Sequence, residues 1–249
     1  MAPFLDLPER STKPRDSGLT HVLDRGLAVR EVDDLVEVVG DSVDLVKLGW
    51  GTALATGNLK AKLARYRAHG IPVVLGGTLT ELAIRQGRVE GLIAFLEELE
   101  IDHVEVSDGT IVLDHEEKLA LIRRLAGSYR VLSEVGSKDD ERIMAPYRWV
   151  EQIETELEAG AWKVIAEARE SGTAGIFRPD GEVRMGLIDE IAHAIPPDRV
   201  LFEAPQKDQQ VWFLRRFGSE VNLGNIAPGD VLSLETLRRG LRSDTVGLV

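Results

Sequence analysis

Short apolar, β-branched runs recur along the chain and alternate with segments of helical spacing. The runs are LTHVL (19–23), VDLVKLGW (43–50), IPVVLGG (71–77), DHVEVSDG (102–109), RVLSEVG (130–136), AWKVIAEA (161–168), RVLFEAP (199–205) and EVNLGNI (220–226). Between them, segments such as LKAKLARYRAHG, VEGLIAFLEELE, HEEKLALIRRLAG and DQQVWFLRRFG place apolar residues at a helical period. Asn58 is positioned to cap one helix and Gly70 to end it, and Asp114 and Gly127 bracket another. Strand and helix in strict alternation predict parallel βαβ units. From Thr20 to Val221 the intervals average about 29 residues, close to the roughly 30 of one such unit. Eight units in 249 residues predict an α/β fold, a single-domain (β/α)8 TIM barrel. Residues 1–17 are read as an N-terminal arm and 18–249 as the barrel, since no Pro-, Gly- or Ser-rich linker divides the chain.

In a barrel, chemistry gathers at the C-terminal ends of the strands. Alternation puts Lys47 with Gly49, His103 with Glu105 and Ser107, and Lys163 with Glu167 and Arg169. Glu134 ends strand five, Glu203 ends strand seven, and Asn222 and Gly224 end strand eight. These residues interrupt runs that parallel strands keep apolar, because both faces are buried. Glu105, Glu134, Glu167 and Glu203 at similar heights require cations. Two readings meet that need: a structural network with Lys47, Lys163 and Arg169, or a hard divalent cation such as Mg²⁺. Zinc fits poorly, because there is no Cys and His21, His69, His103, His115 and His193 are scattered.

Glycines at 76–78, 171–175 and 224–225 read either as anion cradles or as tight turns. Lys138, just past strand five, is either a solvated loop residue or a proton donor and charge clamp, and Lys207 has the same two readings. Lys163 or Lys47 would serve a Schiff-base aldolase if burial lowered its pKa, although the depth of Lys163 favours a core ion pair.

Composition narrows the field. Lys and Arg number 30 against 42 Asp and Glu, a net charge of −12, which argues against nucleic acid or an anionic membrane as partner. No apolar stretch is long enough to span a bilayer, and the first residues lack the apolar core of a secretory signal. With no Cys, thiolate chemistry and disulfides are excluded, and a cytoplasmic location is expected.

The stretches KPRDSGLTHVLDRGL, DLVKLGWGTAL, GGTLTELAIRQG, HVEVSDGTI, VLSEVGSKD, AWKVIAEARESGTAGIF, LFEAPQKDQQVWFL and VNLGNI together resemble the phosphosulfolactate synthase family. The resemblance runs from Lys13 over almost the whole chain. It implies a barrel that depends on Mg²⁺ and adds sulfite to phosphoenolpyruvate, giving (2R)-phospho-3-sulfolactate as in coenzyme M biosynthesis. The implied route is a metal-stabilised enediolate protonated by a lysine. The family carries two lysines after its Glu-Val-Gly; here Ser137 fills the first place and Lys138 the second. On this basis Lys138 is the expected general acid, with Lys47 as second catalytic lysine. Glu105, Glu134 and Glu203 are the expected metal ligands. Arg25, Arg169, Ser107 and the Gly224–Asn225 backbone are the expected substrate contacts. A homo-oligomer is expected. A branch of the family typified by plant heat-stress proteins leaves open a non-catalytic binding protein on the same fold.

Overall fold

The structure, a computed structural model, describes residues 4–136, 144–169 and 171–247. Eight parallel strands close into a barrel in sequence order: β1 (Thr20–Asp24), β2 (Leu45–Leu48), β3 (Val73–Leu75), β4 (His103–Val106), β5 (Arg130–Val135), β6 (Lys163–Ala166), β7 (Val200–Glu203) and β8 (Asn222–Ile226). The register closes with Val22 beside Ile226. Around it run α1 (Val29–Val39), α2 (Thr52–Ala55), α3 (Leu59–Ala68), α4 (Gly77–Arg85), α5 (Val89–Leu99), α6 (His115–Ala126), α7 (Pro146–Glu158), α8 (Met185–Ala194), α9 (Lys207–Phe217) and α10 (Val231–Arg238). The (β/α)8 architecture read from the alternation is the one observed.

Strand parity divides the core in two. Val22, Val46, Val104, Val131, Val164 and Phe202 point outward into the shell of helices. The alternate residues Leu19, Leu45, Val74, Leu132, Ile165 and Leu201 form a separate apolar cluster inside the barrel. Both faces of every strand are therefore buried, as parallel sheets require. Above the inner cluster, towards the C-terminal ends, the interior becomes charged.

Local signals set several boundaries. Asp114 caps α6 by accepting from the Glu116 N–H at 2.9 Å. Gly70 takes φ 64 just past α3, a left-handed turn that favours glycine. Asn58 departs from expectation: it stands before α3, but its side chain makes no cap hydrogen bond.

The N-terminal segment is tied across the foot of the barrel. Arg10 pairs with Glu220 at 2.6 Å and Glu235 at 3.4 Å, and Arg15 pairs with Asp44 at 2.8 Å. Lys163 corrects the expectation of a core ion pair. Its Nζ donates to the carbonyls of Asp16 and Asp198, both at 2.7 Å, and it makes no ion pair among the described residues. It lies at the foot because β6 begins there, so the carboxylates at the far ends of the strands are out of reach.

Candidate active site

Four glutamates rise from the ends of β4, β5, β6 and β7 into one pocket, and all are buried. Oxygens of Glu134, Glu167 and Glu203 lie within 4.8 Å of one another. Glu105 stands apart from that trio. It accepts the Gly77 N–H at 2.9 Å, and its other oxygen is 3.2 Å from Lys47 Nζ. Lys47 also donates to Glu203 at 3.1 Å, bridging the two carboxylates. Burial alone would lower the Lys47 pKa, but Glu105, Glu203, Glu134 and Glu167 hold it well above its ordinary value. A Schiff-base nucleophile must be neutral, so this raised pKa speaks against that role for Lys47. Burial, together with Glu134 and Glu203, pushes Glu105 up to about 7 against the opposing pull of Lys47. Glu203 is raised too, chiefly by burial.

Backbone geometry aims the remaining groups. Ala168 N–H donates to Glu203 at 3.0 Å and Arg169 N–H to Glu167 at 2.6 Å, so the end of β6 orients both carboxylates. Non-glycine residues with φ near +55° number four among those described: Trp50, Glu100, Arg169 and Asn225. Glu100 ends a helix, where that conformation is ordinary. The other three all line the pocket, at the ends of β2, β6 and β8. Left-handed backbone costs about 1–2 kcal/mol per residue outside glycine, and such strain gathers where a side chain must be aimed. Asn225 is buried, and its Oδ1 has no hydrogen-bond partner among the described residues.

Three buried hubs hold the rim. Asp24 accepts from Lys62 at 2.7 Å, Tyr66 at 2.9 Å and the Gly26 and Leu27 N–H groups, fixing the turn after β1. Glu81 accepts from Ser107, Gly109 and Thr110 and pins the loop after β4. Lys118 reaches the Glu134 carbonyl at 2.6 Å, Asp108 at 3.0 Å and Glu156 at 2.8 Å, joining that loop to β5.

The predicted residues divide accordingly. Lys47, Glu105, Glu134, Glu203, Arg169 and Asn225 meet in the pocket, joined by Glu167 in the close trio. Ser107 instead donates to Glu81 at 2.5 Å. Arg25 does not line the pocket; its guanidinium lies 5.9 Å from the centre of the Trp50 ring. Gly224 and Asn225 belong to β8 itself, not to a loop after it. Gly224 is needed because a Cβ there would collide with Leu201 and press on His21, and its carbonyl accepts from Ala204. The 171–175 loop does not line the pocket; Gln206 and Gln209 hold its carbonyls, and Gly175 lets it pass against the end of β6. Lys138 lies outside the described residues. Gly76–Thr78, read as an anion cradle or a tight turn, lines the pocket, and Trp50 lines it without having been assigned a role.

Known proteins carry the same pattern. The profile of the (2R)-phospho-3-sulfolactate synthase (ComA) family matches residues 8–244. The phosphosulfolactate synthase of Bacillus subtilis is 41% identical over 244 residues, spanning 97% of this chain and 97% of its own. That of Methanocaldococcus jannaschii is 44% identical over 238 residues, spanning 93% and 95%. The protein HEAT-STRESS-ASSOCIATED 32 of Arabidopsis thaliana is more distant, at 23% identity over 94% of this chain and 90% of its own. Among solved structures, 3-hexulose-6-phosphate synthase from Salmonella typhimurium superposes with a TM-score of 0.52 at 15% identity, covering 91% and 92%, a likeness of fold alone. No described helix is long and apolar enough to cross a membrane. A match over nearly the whole chain, on a barrel whose strand ends converge on one charged pocket, places the protein: it belongs to the (2R)-phospho-3-sulfolactate synthase family of enzymes.

Proposed function

We propose that the enzyme adds sulfite to phosphoenolpyruvate at this pocket and that it does so with Mg²⁺. One observation carries the reading. Four buried carboxylates converge at the strand ends, and three of them, Glu134, Glu167 and Glu203, bring oxygens within 4.8 Å of one another. The close trio of Glu134, Glu167 and Glu203 offers only hard oxygen donors, which suits Mg²⁺. Those three residues would hold the ion, with Glu105 committed to Lys47 and Gly77. When bound, Mg²⁺ supplies a Lewis acid and a template for the substrate's oxygens.

The chain's own groups do the rest. Arg169 holds an anionic oxygen of the substrate, and the Asn225 amide, unpartnered at Oδ1 among the described residues, orients the same molecule. Lys47 keeps a fixed positive charge beside the carbon skeleton as negative charge builds there. Sulfite sulfur bonds to C3, the C2–C3 π pair moves towards the carboxylate, and C2 then takes a proton. Lys138 is the proposed donor, and delivery on one face fixes the R configuration. The largest physical task is to bring two anions together, which a pocket of fixed charges performs by position.

Phosphorus NMR of phosphoenolpyruvate with sulfite, with and without Mg²⁺, tests the reading. Product is expected only with the metal. Glu167→Gln should cost more than the roughly 10–100-fold typical of an outer-sphere residue. Undiminished turnover by that variant removes Glu167 from the ligand set. No consumption of phosphoenolpyruvate by the wild type overturns the function.

A further inference from the structure

The carboxylate pocket is small. Its cavity of about 50 Å³ has room for only a few groups the size of water, each of which needs at least about 10–15 Å³ of such space. A three-carbon acid with a phosphate does not fit inside it and must extend to the mouth. At the mouth stands Trp50, with a residue exposure of 49%. It is flanked by Gly49, where a Cβ would press on Leu23, and by Gly51 at φ +68. Its own φ of 54° is one that a bulky side chain rarely adopts. Arg169 and Asn225 share that conformation and that pocket.

The chemistry of the lining separates Trp50 from its two companions. Glycines aside, the described residues around the pocket are charged or polar except for Leu23 and Trp50. Leu23 is buried in the floor, so Trp50 is the apolar wall at the entrance. Phosphoenolpyruvate is likewise charged at its carboxylate and phosphate and apolar at one place, the C3 methylene. A methylene set among carboxylates and cations would strip their solvation and give nothing back, whereas against an indole it buries apolar surface.

We propose that Trp50 is a specificity-determining residue whose strained backbone holds the indole against C3 of the substrate, so that the unsubstituted methylene is accepted and larger C3 groups are refused. The inference rests on the phosphoenolpyruvate reading above.

The test compares phosphoenolpyruvate with its C3-methyl homologue, each with sulfite and Mg²⁺, in wild type, Trp50→Phe and Trp50→Gly. One methyl against a fitted apolar wall is worth about 10–200-fold in kcat/KM. The wild type should favour the unsubstituted substrate by a factor in that range. Trp50→Phe should keep most of the preference, and Trp50→Gly should shrink it by at least about tenfold. Trp50→Gly should also melt no lower than wild type, since glycine adopts φ 54° freely. A purely structural tryptophan would lower the melting temperature and leave the ratio alone. An unchanged ratio in an active Trp50→Gly enzyme overturns the inference and spares the function; a wild type that consumes neither substrate overturns both.

Discussion

Two lysines are buried inside the same barrel, one near each end, and the barrel treats them in opposite ways. Lys47, at the C-terminal mouth, sits between Glu105 and Glu203, and its pKa is driven well above the ordinary lysine value. Lys163, at the N-terminal foot, donates to the carbonyls of Asp16 and Asp198 and lies 4.8 Å from the centre of the Trp162 ring. Burial there lowers its pKa to about 8, against a partial pull upward from Asp198 and Asp16. Carbonyl dipoles satisfy an ammonium's hydrogens without balancing its charge, whereas carboxylates do both. The surroundings of Lys163 are thus built as polar packing, although ion pairs of Arg10 and Arg15 stand elsewhere at the foot. The mouth is built instead as a cluster of four buried carboxylates with Lys47 and Arg169 among them.

The largest effect should come from Lys47→Met. Removing the cation leaves Glu105 and Glu203 buried without their shared partner, and breaking a buried pair on one side costs about 3–5 kcal/mol. Denaturant unfolding of the metal-free protein measures that loss, and added Mg²⁺ should recover part of it through the neighbouring glutamates. In the metal-loaded variant kcat should still fall about 10²–10³-fold, because a fixed charge at the reacting carbons is gone. A variant as stable and as fast as wild type would erase the contrast between the two ends.

The mouth should also announce itself in the acid range. The folded Glu105 pKa of about 7 exceeds its ordinary 4.5. Between those values the folded state binds more protons than the unfolded one, so stability falls as pH rises from about 4.5 to 7 and is level beyond. The raised Glu203 pKa adds a contribution of the same sign. His21 and His103, held below their ordinary value, act with the opposite sign in part of that window, so the readout is the difference: the melting temperature of metal-free wild type relative to Glu105→Gln should fall as pH rises from about 4.5 to 7. Excess Mg²⁺ should flatten the slope, since the ion favours the ionised carboxylates. A slope that Glu105→Gln leaves intact would assign the titration elsewhere.

The sequence made the barrel legible because its signals are periodic. Eight β-branched runs spaced about 29 residues apart survive small errors in any one boundary. Strand parity likewise located Lys47, Glu105, Glu134, Glu167 and Glu203 on the inner face, since alternation fixes direction once the strand is known. What parity cannot supply is distance. It could not show that Glu167, rather than Glu105, completes the close trio, because that depends on the stagger of neighbouring strands and on the Gly77 N–H claiming Glu105. Nor could it show the left-handed turn that puts Trp50 at the mouth, since tryptophan carries no preference for that conformation. Lys62 and Lys118 received no reading from the sequence; tertiary packing turns them inward onto Asp24 and Glu156.

The smallest effect, and the one that separates the two ends most cleanly, belongs to Lys163→Met. The Asp198 carbonyl would keep its bond from Asn222 at 2.9 Å, so the loss falls mainly on the Asp16 carbonyl. Contact with the Trp162 ring is lost as well, but relief from holding a charge in a buried place offsets part of these losses, so the net cost should stay below about 2 kcal/mol. Catalysis should not change, because Lys163 makes no contact with the mouth. The pH signature runs opposite to that of Glu105. A folded pKa of about 8 against an ordinary 10.5 means that the unfolded state holds the proton more tightly, so this group adds stability as pH rises from about 8 to 10.5. Unfolding free energies measured across that window should climb less steeply in the variant than in wild type. Equal slopes would mean that Lys163 stays charged throughout, and the foot would then be balancing charge by the same means as the mouth.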